Sequence, residues 1–330
     1  IPFDEMPLLF NPPSGYIVTS NNAVVDEEYP YFLAYAWANG DRSSRIEQMI
    51  HNEILSSETG ISTADIGRMQ NDSYSLVAED WVPHLLALPA QPNAEVQAAL
   101  DTLQDWDYQL RRDSIAASVF EIFYWHLIQE TFGDELGEEA SELYMGHSLT
   151  IRVLLNKLAT NEHDLWWDDV ATQNTIEKRD DIVLRSLQKT VTWLMNNHGR
   201  RPAAWTWGNV HQATFRSNPL GQSGIGFLES QVNIGPFPVD GGEGTVNAVG
   251  WDWDEPAAVN WHPSMRMIVD MGDFDRSLAV IPTGQSGHPG HPHYDDLAPM
   301  WLEGEFHPQW YSRTAVDNNT AEMLILLPEE

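Results

Sequence analysis

Strand-like segments stand near both ends of this chain, and a long helical stretch separates them. That arrangement constrains the fold more than any other feature. Near the start, Asn11-Pro12-Pro13-Ser14-Gly15 reads as a turn leading into a strand at Tyr16 to Ser20. Near the end, Met265 to Met271 and Ser277 to Ile281 read as strands separated by a turn at Gly272-Asp273. Sheet pieces so distant in sequence must meet in space, which makes the class α+β.

Between them the period changes to that of a helix. Ser62 with Asp65 three residues on forms a capping box ahead of Ile66, Met69, Ser73, Leu76 and Val77. Asn93 caps a helix whose apolar face is Val96, Ala99, Leu100 and Leu103. A third helix runs from about Ser114 with Ile115, Val119, Ile122 and His126 on one stripe, and a fourth carries Ile176, Val183, Leu187, Val191 and Leu194. After Gly199 the texture turns to Gly, Pro and Trp clusters. No repeat, low-complexity tract or long linker divides the chain, which reads as a single portion. Residues 1–60 form a sheet piece, 61–200 a mainly helical part, and 201–330 the returning strands and Gly/Pro/Trp-rich loops.

Composition excludes several functions. The 49 acidic residues face only 17 basic ones, a net charge of −32. Such a surface repels phosphate backbones and anionic lipid, so neither nucleic acid nor membrane is an expected partner. A solvated acidic surface is the plain explanation; a salty habitat and a bound cation are the alternatives. The absence of cysteine rules out disulfides and thiolate chemistry, and no apolar run is long enough for a membrane-spanning helix.

Several motifs follow one another in a recognisable order. Ile1-Pro2-Phe3-Asp4-Glu5-Met6-Pro7, Asn11-Pro12, Gly15-Tyr16-Ile17 and Asn21-Asn22 come first, then Trp37, Gly40-Asp41-Arg42 and Arg45-Ile46. Gln70-Asn71-Asp72 and Val82-Pro83-x-Leu85-Leu86 follow, and later Trp205-x-Trp207-Gly208-x-x-His211 and Gly241-Gly242-x-Gly244-Thr245-Val246-Asn247. Pro263-Ser264-x-Arg266, Pro282-Thr283-Gly284-Gln285-Ser286-Gly287, His293-Tyr294-x-Asp296 and Trp301-x-x-Gly304 complete the series. In this order they resemble the C-terminal part of the large subunit of the penicillin acylase family of N-terminal-nucleophile hydrolases. The resemblance implies a four-layer αββα fold with a large helical insertion, and hydrolysis of linear amides. Candidate substrates are penicillins, N-acyl homoserine lactones and other N-acyl amines.

In that family a self-cleaving precursor exposes a serine whose own α-amine, with pKa near ~7.7–8.0, takes the hydroxyl proton. Position 1 here is Ile, and Ser14 and Ser20 are internal. The chain is therefore expected to be a fragment, inactive alone, whose partners are an upstream small subunit and the N-terminal part of the large subunit. The family resemblance also implies a periplasmic or secreted protein.

The resemblance makes Asn21 the candidate catalytic oxyanion donor and Arg42 a candidate active-site arginine. Without it, Asn21-Asn22 reads as a polar turn and Arg42 as a helix-start ion pair with Asp41 or Glu47. No cofactor is required. A structural calcium ion has a place in the complete enzyme, although Tyr31 stands where family members carry a carboxylate ligand. His288, His291 and His293 are close enough to suggest zinc but lack the further ligands of a tetrahedral site. Gln285-Ser286-Gly287 reads as a structural turn, His211 as a buried hydrogen-bonded histidine, and Trp205, Trp207, Trp251, Trp253 and Trp261 as packing. Two rival readings are a carbohydrate-active or carbohydrate-binding protein and a noncatalytic scaffold fragment.

The charge balance carries its own test. Self-repulsion at −32 should be screened as ionic strength rises. The thermal midpoint should therefore be higher in ~1 M than in ~0.05 M of a weakly interacting salt; a midpoint that fell would contradict this.

Overall fold

The computed structural model describes residues 1–57, 60–145, 148–252 and 255–328. Two compact units divide them: one holds 1–53, 72–214 and 235–262, the other 54–71, 215–234 and 263–330.

The first unit is mainly helical. Helix α1 spans Asp41–Met49; α2, Thr63–Gln70, lies in the other unit. The first unit continues with α3 Leu76–Leu86, α4 Ala94–Leu103, α5 Ile115–Met145, α6 Ser148–Ala159, α7 Arg179–His198 and the short α8 Trp207–Val210. Asn93 caps α4 by accepting from the backbone N–H groups of Glu95 and Val96, and all four residues of the apolar stripe behind it are buried. Helix α5 supplies the core: Val119, Phe120, Ile122, Phe123, Leu127 and Ile128 have no exposed surface. Ile182, Val183, Leu187 and Leu194 of α7 join the same cluster.

Indole N–H groups stitch this core together. Trp81, Trp167, Trp205 and Trp207 are wholly buried. Each Nε1 donates a hydrogen bond, to Asn156 Oδ1 (2.9 Å), Asn161 O (2.9 Å), Gly199 O (2.7 Å) and Gly241 O (2.9 Å) respectively. A buried indole needs such a partner, because an unpaired donor costs about 1–3 kcal/mol.

Strands are short. β1 Gln212–Phe215 pairs with β2 Ile234–Pro238, and β3 Gly250–Trp251 with β4 Val259–Trp261. In the second unit β5 Arg266–Ile268, β6 Leu278–Val280 and β7 His307–Pro308 form an antiparallel sheet in that order. Helix α2 packs on it, Gly67 allowing the Phe306 ring close to its backbone. The unit also holds α9 Gly226–Val232, α10 Ala298–Leu302 and α11 Arg313–Asn319. The mixture is α+β, as the sequence pattern implies.

Three sequence expectations differ from the structure. Tyr16 to Ser20 is extended but joins no ladder; its one neighbouring backbone pairing is the bridge between Asn22 and Ala38. A strand pattern needs a second edge to become a strand, and no described segment offers one there. The helix opened by the Ser62–Asp65 capping box ends at Gln70 rather than running on to Val77. Ser75 then caps a new helix, α3, and Tyr74 bridges to Gln109 in the break. Ile176 lies outside α7 and is exposed, and Ile182 fills its expected place in the core.

Gly241 closes the loop that returns from the strands to the helical core. Its φ is +89°, its N–H donates to Leu110 O, and a Cβ there would lie 2.1 Å from the carbonyl oxygen of Asn247. Gly241→Ala should therefore lose about 2–4 kcal/mol from combined strain and backbone collision. Urea unfolding beside the unsubstituted protein measures it; a loss below ~1 kcal/mol would refute the geometry.

Candidate active site

Asn21 sits at the end of the extended Tyr16–Ser20 segment with φ +66°, a left-handed conformation that asparagine tolerates. Its carbonyl accepts from the Ala38 N–H at 2.8 Å, which fixes the backbone against the residues preceding α1. Its side chain is held from the other direction. Arg42, in the first turn of α1, donates through Nη2 to Ser20 O (2.9 Å) and to Asn21 Oδ1 (2.8 Å). A guanidinium can only donate, so the amide orientation is settled: oxygen toward Arg42, Nδ2 away from it.

The Asn21 Nδ2 makes no hydrogen bond among the described residues, and the residue is exposed. Asn22 is used differently. Its Oδ1 accepts from the Ser20 N–H at 3.0 Å and its Nδ2 donates to Ala23 O at 3.2 Å, so both ends serve the local turn. Of the two asparagines, only Asn21 presents an oriented, unused donor. Arg42 makes no ion pair with Asp41 or Glu47 among the described contacts; its guanidinium is spent on Ser20 and Asn21. Burial lowers its pKa, with the Glu243 carboxylate acting in the opposite sense.

The same helix presents Arg45, whose Nε and Nη2 fork onto the two oxygens of Asp72 at 2.8 and 2.9 Å. The guanidinium lies 4.3 Å over the Tyr74 ring. Asp72 O in turn accepts the Asn247 N–H at 2.8 Å. Three of the sequence motifs thus meet through one arginine, and together they fix the face of α1 that carries Arg42.

The remaining candidates resolve as structure. His211 is wholly buried, stacks on Trp207 at 4.3 Å and bonds Ala257 O through Nδ1 at 2.7 Å. His293 Nδ1 pairs with Asp296 at 2.6 Å, and no group of three or more ligating side chains occurs among the described residues. Ser286 lies in a turn, its N–H on His293 O and its Oγ accepting from the His288 N–H. Trp205, Trp207 and Trp251 are interior, which removes them as a sugar platform; Trp261, expected as packing, is instead exposed on the short strand β4, and Trp253 lies outside the described residues. Tyr31 donates to Glu5 Oε2 at 2.6 Å.

Sequence reasoning missed a buried charged group. Glu121, Arg152 and Glu243 cluster in the first unit, with Asp41 and Tyr124 in electrostatic range. Burial pushes Glu121 up to about 7 and raises Asp41 as well. The available signal was a lone acid inside the apolar run Val119-Phe120-Glu121-Ile122-Phe123, since a charge is rarely fully buried unless paired.

The model of the penicillin amidase family matches residues 1–318. The chain belongs to that family. It is 27% identical over 322 residues to the acyl-homoserine lactone acylase QuiP of Pseudomonas aeruginosa, covering 90% of this chain and 37% of that protein. It is 25% identical over 329 residues to the penicillin acylase 2 proenzyme of Pseudomonas sp. strain SE83, covering 98% and 40%. Among solved structures, a thermostable penicillin G acylase from Alcaligenes faecalis superposes with a TM-score of 0.58 at 18% identity, over 99% of this chain and 60% of that one. The chain therefore has the penicillin acylase fold and spans about two-fifths of the curated relatives' length.

The buried histidines give a pH test of this region's stability. Burial pushes His126 and His211 down to about 4. Their unfolded forms take up a proton near ~6.5 that the folded forms refuse, so stability present above that pH is lost as pH falls toward 4. Glu121, pushed up to about 7, acts in the opposite sense over the same interval, so the test is the difference: the pH slope of the melting midpoint should shift in His126→Gln toward less loss of stability at low pH. Equal slopes for the two proteins would contradict the assignment.

Proposed function

We propose that this chain is part of an amidohydrolase that cleaves linear amides, in which it supplies the oxyanion-binding amide. The observation that carries the reading is the Asn21 side chain, with its oxygen pinned by Arg42 and its Nδ2 left as an oriented donor. When a nucleophile adds to an amide carbonyl, charge gathers on the oxygen, and a donor already aimed at it lowers the barrier without reorganising. The nucleophile is a serine outside this chain, at the start of the same subunit. Its α-amine takes the hydroxyl proton as the oxygen attacks, and returns it to the leaving amine. A water molecule then hydrolyses the resulting ester along the same route.

N-acyl homoserine lactones are the first substrates to test, because QuiP proteins of several Pseudomonas species match most of this chain. Penicillin side chains are second, on the match to penicillin acylase 2. The partners are the small subunit and the N-terminal part of the large subunit. Exposed Phe3, Leu8, Phe10, Phe32 and Tyr35, crowded into the first 35 residues, support a covering partner there. In this reading the complete enzyme is exported, needs no cofactor for the chemistry, and has room for a structural calcium ion.

In the full-length, self-cleaved enzyme, Asn21→Ala should cut kcat by about 100-fold or more with a smaller effect on KM. Stability should change by only about 1–2 kcal/mol. Asn22→Ala should be much milder in rate. Steady-state kinetics and melting curves decide it. Near-normal turnover in Asn21→Ala, or a greater loss in Asn22→Ala, would overturn the assignment.

A further inference from the structure

The extended segment that ends in Asn21 is held at two points by one helix. At one end Arg42 donates to Ser20 O and Asn21 Oδ1. At the other, the Tyr16 hydroxyl and His51 Nε2 hydrogen-bond at 2.8 Å, their rings meeting edge to face. His51 stands in the wider π-helical turns, Ile50–Leu55, that continue α1. A shift of α1 therefore carries the segment and the Asn21 amide with it.

The helix has little apolar surface to rest on. Its sequence, Asp41-Arg42-Ser43-Ser44-Arg45-Ile46-Glu47-Gln48-Met49, is mostly polar. Only Ser43 and Met49 are buried, no side chain caps the first turn, and none of the following π-helical residues is buried. Packing of an apolar face, which seats most helices on their core, is therefore slight here.

Arg45 supplies the missing attachment. Its guanidinium forks onto both oxygens of Asp72 at 2.8 and 2.9 Å, with the two side chains only 19% and 11% exposed. A fork of this kind fixes direction as well as distance, and the Tyr74 ring backs it at 4.3 Å. The anchor is firm. Asp72 O accepts the Asn247 N–H at 2.8 Å, and the adjacent Ser73 O accepts the Leu110 N–H at 2.9 Å. Arg42 and Arg45 are three residues apart and so neighbours on the helix surface.

We propose that Arg45 is a positioning residue for amide hydrolysis: by docking α1 on Asp72, it keeps the Asn21 amide, which α1 holds through Arg42, in line with the oxyanion. The inference rests on the amidohydrolase reading given above. A misplacement of ~1 Å caused far from the chemistry can cost about 100-fold in rate, so a loosened helix should show in turnover before it shows in folding.

The test is a double-variant cycle in the full-length, self-cleaved enzyme, assayed on an N-acyl homoserine lactone and a phenylacetyl anilide with melting curves alongside. Arg45→Met should lower kcat by about 10-fold or more with little change in KM, and Arg45→Lys should retain part of the lost activity. In an Asn21→Ala background the same Arg45→Met change should lower kcat by less than about 2-fold, because the donor it positions is already gone. Where Arg45→Met fails to fold, Asp72→Asn replaces it in the cycle with the same expectation. A folded Arg45→Met or Asp72→Asn enzyme with unchanged kcat, or an equal loss with and without Asn21, overturns the proposal alone. An unsubstituted enzyme inactive on both amides overturns the hydrolase reading and this inference with it.

Discussion

The contact between Arg42 and Asn21 is the one on which the arrangement depends. An asparagine amide has two chemically opposite ends of nearly identical shape, and only a neighbour that is purely a donor or purely an acceptor decides between them. Arg42 decides it by donating to Oδ1. The same guanidinium nitrogen also holds Ser20 O, so side chain and preceding backbone are fixed by one group. Helix α1 is itself held, through Arg45 on Asp72 and Asp72 on the Asn247 backbone. Loops far apart in sequence thereby converge on the orientation of a single amide.

Legibility from sequence was uneven for identifiable reasons. Features set within a few residues were readable: the capping box at Ser62, the cap at Asn93, and the turn separating β5 from β6. Those needing a distant partner were not. Tyr16 to Ser20 has the composition of a strand, yet pairing is a property of two segments. Helical periodicity continued past Gln70 because α2 and α3 happen to keep phase across a break that Tyr74 and Gln109 impose. Of the candidate site, the resemblance pointed to Asn21 and Arg42 but not to what each does to the other. That required the distance between an amide oxygen and a guanidinium 21 residues away in sequence.

Tryptophan content illustrates the same limit. Fourteen indoles suit a sugar-binding surface as readily as a core. Burial separates the two readings, and so does the fate of the N–H. In Trp81, Trp167, Trp205 and Trp207 the donor is spent on an internal acceptor, twice on a glycine carbonyl. These residues order the loops around α5 and α7 and leave no stacking face for a ligand.

The arginines show why so acidic a chain remains this acidic at its surface. Only 17 basic residues are available, and several work inside the protein. Arg42 holds a carbonyl and an amide, Arg45 forks one carboxylate, and Arg152 is buried beside two. In the second unit Arg266 is buried, 4.5 Å from the Trp301 ring centroid and bonded to the Trp301 carbonyl. Arginine suits this work because its fork is rigid, permanently charged and less costly to desolvate than an ammonium. Each guanidinium so employed is unavailable to neutralise the exterior. The surface charge and the ordered interior are therefore linked: cations are concentrated where they orient loops, and the outer carboxylates are left to solvent and counterions.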